Sequence, residues 1–484
     1  MLQTILHRPV PTLSMAPLCV DLDGTLVKSD TLHDSLLVLL RTHPWKALKV
    51  PFVLLKGKAA LKAYVTQAVD LDVAHLPYNR KLLERLHAEW GIGREIYLTT
   101  GADLRLARRV ADHLGIFRDV LGSDGTVNLT GHTKLERLRQ ELGSQSFDYI
   151  GNASPDLPLL VQSERPMVAN PSMRLRMAMR ARRIEPAERF EDRAHPLKAL
   201  LKAIRVHQWA KNVLIFLPLL LGHGLAASRI VAAILAFCCF SLTASATYIV
   251  NDLLDIETDR RHHRKRARPF AAGDLQAQYG MGIVLLFLFL AFAGARFLPY
   301  SFYAWLLLYL AATLAYSAWS KRIPVVDVLV LSGLYTLRLL AGSAVTSTPM
   351  SHWLAGFSIF LFLSLAFVKR FSELENLRES ATVPRNGRGY LVSDIAQLRS
   401  FGTSSAYASA VIFAIYISGH EVTALYHKPG FLWLMIPLMI LWLSRVWLLA
   451  SRGRLNEDPV VFAITDRMSL LMGVGAVAIA LLAL

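Results

Sequence analysis

The chain of 484 residues carries 53 Lys and Arg against 36 Asp and Glu, a net charge of +17, with 54% apolar residues. It is too long for one ordinary core, and charged residues crowd the first 210 positions, so two domains are expected, 1-190 and 191-484. The basic excess argues against nucleic acid as a partner, because it sits in short loops between apolar runs, where positive-inside topology accounts for it.

In chain order, no apolar core of signal-peptide length precedes residue 21, which predicts a first domain on the cytoplasmic side. Pro17 to Val20 read as a strand that runs into DLDGTL, ending in Asp21, Asp23 and a glycine turn. Such a strand presents both carboxylates at the carboxyl edge of a sheet, where open α/β folds bind ligands. Helical patterns fill residues 27 to 93. Within them WKALKVPFVLLKGKAALKAYV mixes Lys with apolar residues, and reads either as ordinary helices with solvated lysines or as a segment lying on a membrane surface. Glu95 to Leu98 predict a second strand ending in Thr99 and Thr100. Lys134 opens a helical pattern, and Phe147 to Ile150 predict a strand ending in GNASPD, with Asn152 and Asp156. From Met173 to His195 a last helix and a polar connector are expected, with the boundary near 190. Cys19, Cys238 and Cys239 lack metal or disulfide spacing and read as small buried residues.

The order of these four pieces at strand ends resembles the haloacid dehalogenase-like phosphatases, over about Pro17 to Asn170. The resemblance implies a Rossmann-like α/β domain with a helical cap at about 27-93. Asp21 would be the nucleophile that forms an aspartyl-phosphate, and Asp23 the general acid and base. Thr99, or alternatively Thr100, and Lys134 would hold phosphoryl oxygens. One Mg²⁺ would be held by Asp21, the main chain of Asp23 and an acid after the fourth motif. Asn152 stands where the first of two acids is common in the family, and Asp156 remains. That departure leaves open a phosphate-binding module without turnover.

Nine apolar stretches of roughly spanning length follow, between 212 and 484. Lys and Arg gather in the loops after the second, fourth, sixth and eighth, which predicts a cytoplasmic N-terminus and an outside C-terminus. The loop after the second stretch reads NDLLDIETDRRHHRKRARPFAAG. Its Asn251, Asp255, Asp259 and His262 follow at helical spacings, with Asp252 beside them. Hard carboxylates backed by Lys265 and Arg268 suit a Mg²⁺-held diphosphate.

This block resembles the UbiA-type intramembrane prenyltransferases over about 200 to 484. YSAWSKR, with Tyr316 and Lys321, and the nearby Asp327 extend the match. The resemblance implies nine transmembrane helices around a cavity, with one or two Mg²⁺ on Asn251, Asp252, Asp255 and Asp259. Where a second aspartate pair is usual, VKRFSEL places Lys369, Arg370 and Glu373. With Lys211 in RVHQWAKN and Arg338 in YTLRLLAG, these are similar to the branch that transfers phosphoribose from phosphoribosyl diphosphate to polyprenyl phosphate. A cation such as Arg338 inside an apolar span is a functional candidate by default. Lys211, His262, Lys265, Arg268, Tyr316, Lys321, Arg338, Lys369, Arg370 and Glu373 are therefore the expected substrate contacts.

Phosphoribosyl transfer leaves a 5-phosphate on the lipid-linked sugar, and a phosphomonoesterase on the same face would remove it. The expectation is a two-step enzyme of the bacterial inner membrane that produces polyprenyl-phosphoryl ribose for cell-envelope synthesis, its oligomeric state open. The alternative is a quinone-pathway aromatic prenyltransferase whose phosphatase-like domain is regulatory or serves another substrate.

Overall fold

The computed structural model describes residues 16–222, 226–379, 388–455 and 459–484. They form two compact units, Met1–Ile204 with Tyr248–Val284, and Arg205–Thr247 with Leu285–Leu484.

The first unit is built on a six-stranded parallel sheet: β1 (Leu18–Val20), β2 (Ile96–Asp103), β3 (Asp119–Ser123), β4 (Asp148–Gly151), β5 (Pro166–Ala169) and β6 (Glu188–Phe190). The strand order is β3-β2-β1-β4-β5-β6, so the direction of winding reverses between β1 and β4. In an open sheet that reversal leaves a crevice at the carboxyl ends of the strands. Successive residues of the central strands feed opposite faces, as the pleat requires. Leu18, Val20, Ile96 and Leu98 join one apolar cluster, while Cys19, Tyr97 and Tyr149 join the other. Burial pushes the Cys19 thiol up to about 12, so it behaves as an apolar residue. The sequence reading found β1, β2 and β4 within one or two residues of their observed starts; β3, β5 and β6 are additional.

Helices α1 (Thr31–Thr42), α2 (Pro44–Ala47), α3 (Val50–Leu54), α4 (Lys58–Ala68) and α5 (Arg80–Gly91) lie between β1 and β2, in the stretch expected to be a cap. Each long one starts where the sequence supplies a capping group or a permissive glycine. The Asp30 carboxylate accepts from the backbone of Leu32 and His33 at the head of α1. Asn79 does the same for α5, and Gly57 at φ +108° admits the turn into α4. The later helices are α6 (Leu104–Leu114), α7 (His132–Leu142), α8 (Leu157–Gln162) and α9 (Met173–Ala181).

The segment Tyr248–Val284 packs as part of this unit. Arg260 is buried, and its guanidinium donates to Asp34 of α1 at 2.8 Å and to the Ser29 hydroxyl at 3.1 Å. Around that pair Arg41 donates to the Leu254 carbonyl at 3.3 Å, Arg261 meets Asp72 at 2.7 Å, and Lys28 meets Asp274 at 3.8 Å.

Among the described residues, seven helices are long and apolar enough to cross a membrane: Ala227–Leu254, Ala277–Ala295, Tyr300–Ala318, Val326–Thr346, His352–Asn376, Val392–Ser418 and Pro429–Ser451. Arg467–Ala483, at 17 residues, is a shorter apolar helix. The first of the nine expected spans differs in form. Residues Val206–Phe216 are 3₁₀-helical and only Leu217–Leu221 are α-helical, where Pro218 cannot donate to the preceding turn.

Because Asp34 and Arg260 are almost wholly buried, truncating one strands the other's charge. Asp34→Ala should cost about 3–5 kcal/mol, read as a lower unfolding temperature in calorimetry of the detergent-solubilised protein. An Asp34→Leu, Arg260→Met double variant should recover much of the loss. An unchanged transition in the single variant would contradict the assignment.

Candidate active sites

At the carboxyl edge of β1 and β4 the first unit gathers most of the residues expected there. Asp21 leaves β1 with its amide on the Ile150 carbonyl, and its Oδ1 accepts from Lys134 Nζ at 2.9 Å. Lys134, on the first turn of α7, also donates to Asp156 Oδ1 at 3.2 Å and to the Tyr149 hydroxyl at 3.1 Å. Asp156 has its second oxygen on the amides of Asn152 and Ala153, at 3.1 and 3.0 Å. All four side chains are buried. Burial opposes the charge of Lys134, but Asp21 and Asp156 outweigh it and raise the ammonium above its ordinary value. Gly24 holds φ +77°, and a Cβ there would overlap the Asn152 amide, so the first and fourth sequence motifs are in direct contact.

Asp23 is set apart from this cluster. Its carboxylate caps the Thr31 amide at the start of α1, at 2.7 Å. Burial first, and the nearby Asp30 next, push it up to about 7, whereas burial against the opposing pull of Lys134 takes Asp21 to about 6. The two carboxyls thus sit in different environments, Asp21 braced by a lysine and Asp23 by a helix-end amide.

Thr99 is fully buried and its hydroxyl meets no oxygen or nitrogen partner among the described residues, whereas Thr100 accepts from the Ala102 amide at 3.0 Å. Lys62 was not singled out by its sequence, since one lysine among several on a helical stretch carries no signal. From α4 its ammonium reaches Gly101 O at 2.6 Å and Asn128 Oδ1 at 2.8 Å. Burial lowers its pKa, against the pull of Asp23 and Asp30.

The donor set fits a hard cation in part. Both oxygens of Asp156 are engaged by protein donors, while Asp21 Oδ2 has the Thr25 hydroxyl at 3.4 Å. Carboxylate oxygens of this kind are the hard donors that suit Mg²⁺.

The acidic block is also resolved into parts. Asp252 and Asp259 converge on one nitrogen of Arg268, at 2.9 and 2.7 Å, so two hard carboxylates lie within reach of a single cation. Asp255 stands at the N-cap position of the short helix Ile256–Arg261 without a side-chain cap bond, and its carboxylate faces Arg41 at 3.6 Å. The backbone continues helically from Asn251 to Asp255 to Asp259 through i, i+4 bonds of 2.9 and 2.8 Å. His262 falls beyond the helix end, where its Nδ1 faces the Arg264 amide at 3.2 Å, and Lys265 opens an exposed 3₁₀ turn. Burial and the cations Lys265 and Arg268 lower the His262 pKa. Among the described residues, no cluster of three or more His, Cys, Asp and Glu is gathered as a self-sufficient metal site.

In the second unit two networks hold the remaining candidates. Arg370 is wholly buried, donating to Asp327 at 2.5 Å, Glu373 at 2.6 Å and the Tyr316 hydroxyl at 3.2 Å. Arg388 joins through Tyr316 at 3.0 Å, and Tyr390 donates to Asp327 at 2.5 Å. Arg338 donates to Asn212 at 2.8 Å and to the Tyr309 hydroxyl at 3.1 Å, and lies over the rings of Tyr309 and Tyr335. Lys211 also lies over Tyr335, 5.8 Å from its centroid. Lys369 and Lys321 are half-buried near these groups in sequence, on the His352–Glu379 helix and the Ser320–Arg322 turn. Asn212, Tyr309, Arg388 and Tyr390 escaped the sequence reading because polar and aromatic residues near apolar runs are common there.

Residues 213–472 match the UbiA prenyltransferase family. The chain belongs to that family. Like other chains with many apolar helices of this kind, this UbiA family member is a multi-pass membrane protein. It is 37% identical to the uncharacterized protein y4nM of Sinorhizobium fredii over 94% of this chain and 89% of that one. It is 33% identical to nodulation protein NoeC of Azorhizobium caulinodans, over 58% of this chain and 91% of that one. Decaprenyl-phosphate phosphoribosyltransferase of Mycobacterium tuberculosis is 32% identical over 59% of this chain and 94% of its own length.

The Arg370–Asp327 pair is shielded on every side, with both side chains at 0% exposure. Arg370→Leu should therefore destabilise this UbiA family member by about 3–5 kcal/mol, and adding Asp327→Leu should restore most of it. Urea-resistance or melting measurements in detergent would check this, and equal losses in the single and double variants would contradict it.

Proposed function

We propose that this UbiA family member is a two-step enzyme, transferring 5-phosphoribose from phosphoribosyl diphosphate to polyprenyl phosphate and then removing the 5-phosphate. The observation that carries the reading is the company kept by the acidic block. Asp252, Asp259 and Arg268 lie in the same compact unit as a buried Asp21–Lys134–Asp156 cluster suited to a phosphoryl group. A relative that shares the family portion over 94% of its own length is named for decaprenyl-phosphate phosphoribosyl transfer, which supports the first step. An aromatic prenyl transfer leaves no phosphomonoester for the second.

In the first step a lipid phosphate oxygen attacks the anomeric carbon and the C1–O bond to diphosphate breaks. Arg268 and Lys265 are the cations that take up the leaving charge, with Asp252 and Asp259 as hard ligands beside them. Lys211, Arg338 and Lys369, with Tyr316, Lys321, Arg370 and Glu373, are the proposed substrate contacts of the second unit. In the second step Asp21 attacks the 5-phosphate and forms an aspartyl-phosphate, while Asp23 donates its proton to the leaving 5-oxygen. Asp23 then takes a proton from the water that attacks phosphorus, and inorganic phosphate leaves. Lys134 orients Asp21 and offsets phosphoryl charge. Mg²⁺, when bound at either set of carboxylates, supplies charge neutralisation of the phosphate oxygens. We place both sites on the cytoplasmic face of a bacterial inner membrane, following the distribution of Lys and Arg among the loops.

The test supplies purified protein with phosphoribosyl diphosphate, polyprenyl phosphate and Mg²⁺, and follows lipid products by mass. Wild type should yield the ribosyl lipid. Asp21→Asn should stop at the phosphoribosyl lipid, with dephosphorylation slowed about 10³-fold or more. Absence of any ribose-bearing lipid, or transfer of a labelled prenyl diphosphate to a hydroxybenzoate instead, would overturn the reading.

A further inference from the structure

The first unit carries an apolar stripe that nothing among the described residues covers. Helices α2 and α3 have two apolar sides. Ala47, Val50 and Val53 pack inward against the main core cluster with Leu61 and Val65. On the other side Trp45, Leu48, Phe52 and Leu55 are 81%, 63%, 71% and 85% exposed. Their spacings of three, four and three are those of one helical face, and the backbone of Leu48 and Lys49 between α2 and α3, and of Leu55 after α3, stays in the right-handed helical region. Large exposed apolar patches of this kind mark interaction sites, since scattered single residues would need no explanation.

Charge and position both identify the occupant. Lys46, Lys49, Lys56 and Lys58 flank the stripe and are exposed, and no Asp or Glu occurs from His43 to Val69. A basic border around Trp, Phe and Leu is complementary to anionic headgroups over an acyl boundary. A partner protein with an apolar groove would leave the lysines without a counterpart. The stripe also begins where a membrane span ends. Arg41, in the last turn of α1, donates to the carbonyl of Leu254 at 3.3 Å and to Thr258 at 3.2 Å. Leu254 is the last residue of the apolar helix Ala227–Leu254. Trp45 follows Arg41 by four residues, a reach of at most about 15 Å, so the stripe starts close to the level at which that helix leaves the bilayer.

We propose that residues 44–58 are an interfacial element, with Trp45, Leu48, Phe52 and Leu55 seated in the boundary between headgroups and acyl chains of the protein's own bilayer and the lysines on anionic headgroups. The inference rests only on the chain being a multi-pass membrane protein and holds whichever reaction it catalyses. It gives the helices between β1 and β2 a fixed attachment to the membrane surface through α2 and α3, while α4 carries Lys62 back to the strand edge of the sheet.

The experiment uses the full chain in vesicles of phosphatidylcholine with phosphatidylglycerol. Nitroxide labels are placed singly at Leu48→Cys, Phe52→Cys and Leu55→Cys, with Arg137→Cys on the exposed side of α7 as the aqueous reference. Exposed Cys238 is changed to Ser, while Cys19 and Cys239 are buried. Collision with oxygen relative to a water-soluble nickel chelate should be several-fold higher at 48, 52 and 55 than at 137. Replacing Lys46, Lys49 and Lys56 together by Glu should shift all three labels toward chelate access. Labels open to the chelate in the parent protein would overturn the proposal. So would labels shielded from both reagents, which is the signature of a second copy or another protein covering the stripe. Labels unmoved by the Lys→Glu changes would overturn the role of the anionic headgroups.

Discussion

The buried contact of Arg260 with Asp34 is the constraint on which the first unit's arrangement depends. Arg260 belongs to the basic run after the acidic block, and Asp34 to the first turn of α1, only three residues beyond Thr31, whose amide holds Asp23. A charge pair this deep persists only if both partners are in place, because either one alone would bear the full cost of burial. The same short helix therefore carries a cap on the Asp23 carboxylate at one end and, through Arg41, a bond to the end of a membrane helix at the other.

This connection gives the shared chain a physical rationale. Were the two proposed chemistries independent, nothing would require the acidic block to pack with the sheet. Instead Tyr248–Val284 is an integral part of the α/β unit, fastened by Arg260, Arg261 and Asp274. Under the proposed reaction sequence, the product of the first site is the substrate of the second, and a lipid-bound intermediate diffuses only in the plane of the bilayer. The proposed seating of residues 44–58 in the bilayer boundary would hold the Asp21 and Lys134 cluster near that plane.

Much of this was legible in the sequence, and what was not has identifiable causes. Asp21, Lys134 and Asp156 were readable because each stands at the end of a short apolar strand or the start of a helix. β3, β5 and β6 were missed because runs of three to five residues carry too little alternation to stand out. The acidic block was read as one ligand face from its helical spacing, and the backbone bonds do continue along it. Spacing, however, cannot foresee competing cations: Arg268 takes Asp252 and Asp259, and Arg41 takes Asp255. Long-range pairs such as Arg260 with Asp34, 226 residues apart, leave no local trace. The first expected span was read from apolarity alone, which does not register that Pro218 and a 3₁₀ path interrupt it. The family itself was accessible because NDxxDxxxDxxH followed by KRARP is a long and specific motif.

The central claim, that one chain both attaches a phosphorylated pentose to a lipid and strips its phosphate, is tested most directly by following a label in the 5-phosphate of phosphoribosyl diphosphate. The account predicts labelled inorganic phosphate only when polyprenyl phosphate is present, after a lag, and in a one-to-one ratio with ribosyl lipid. Label that stays on the lipid indefinitely, or that is released without any lipid acceptor, would contradict it.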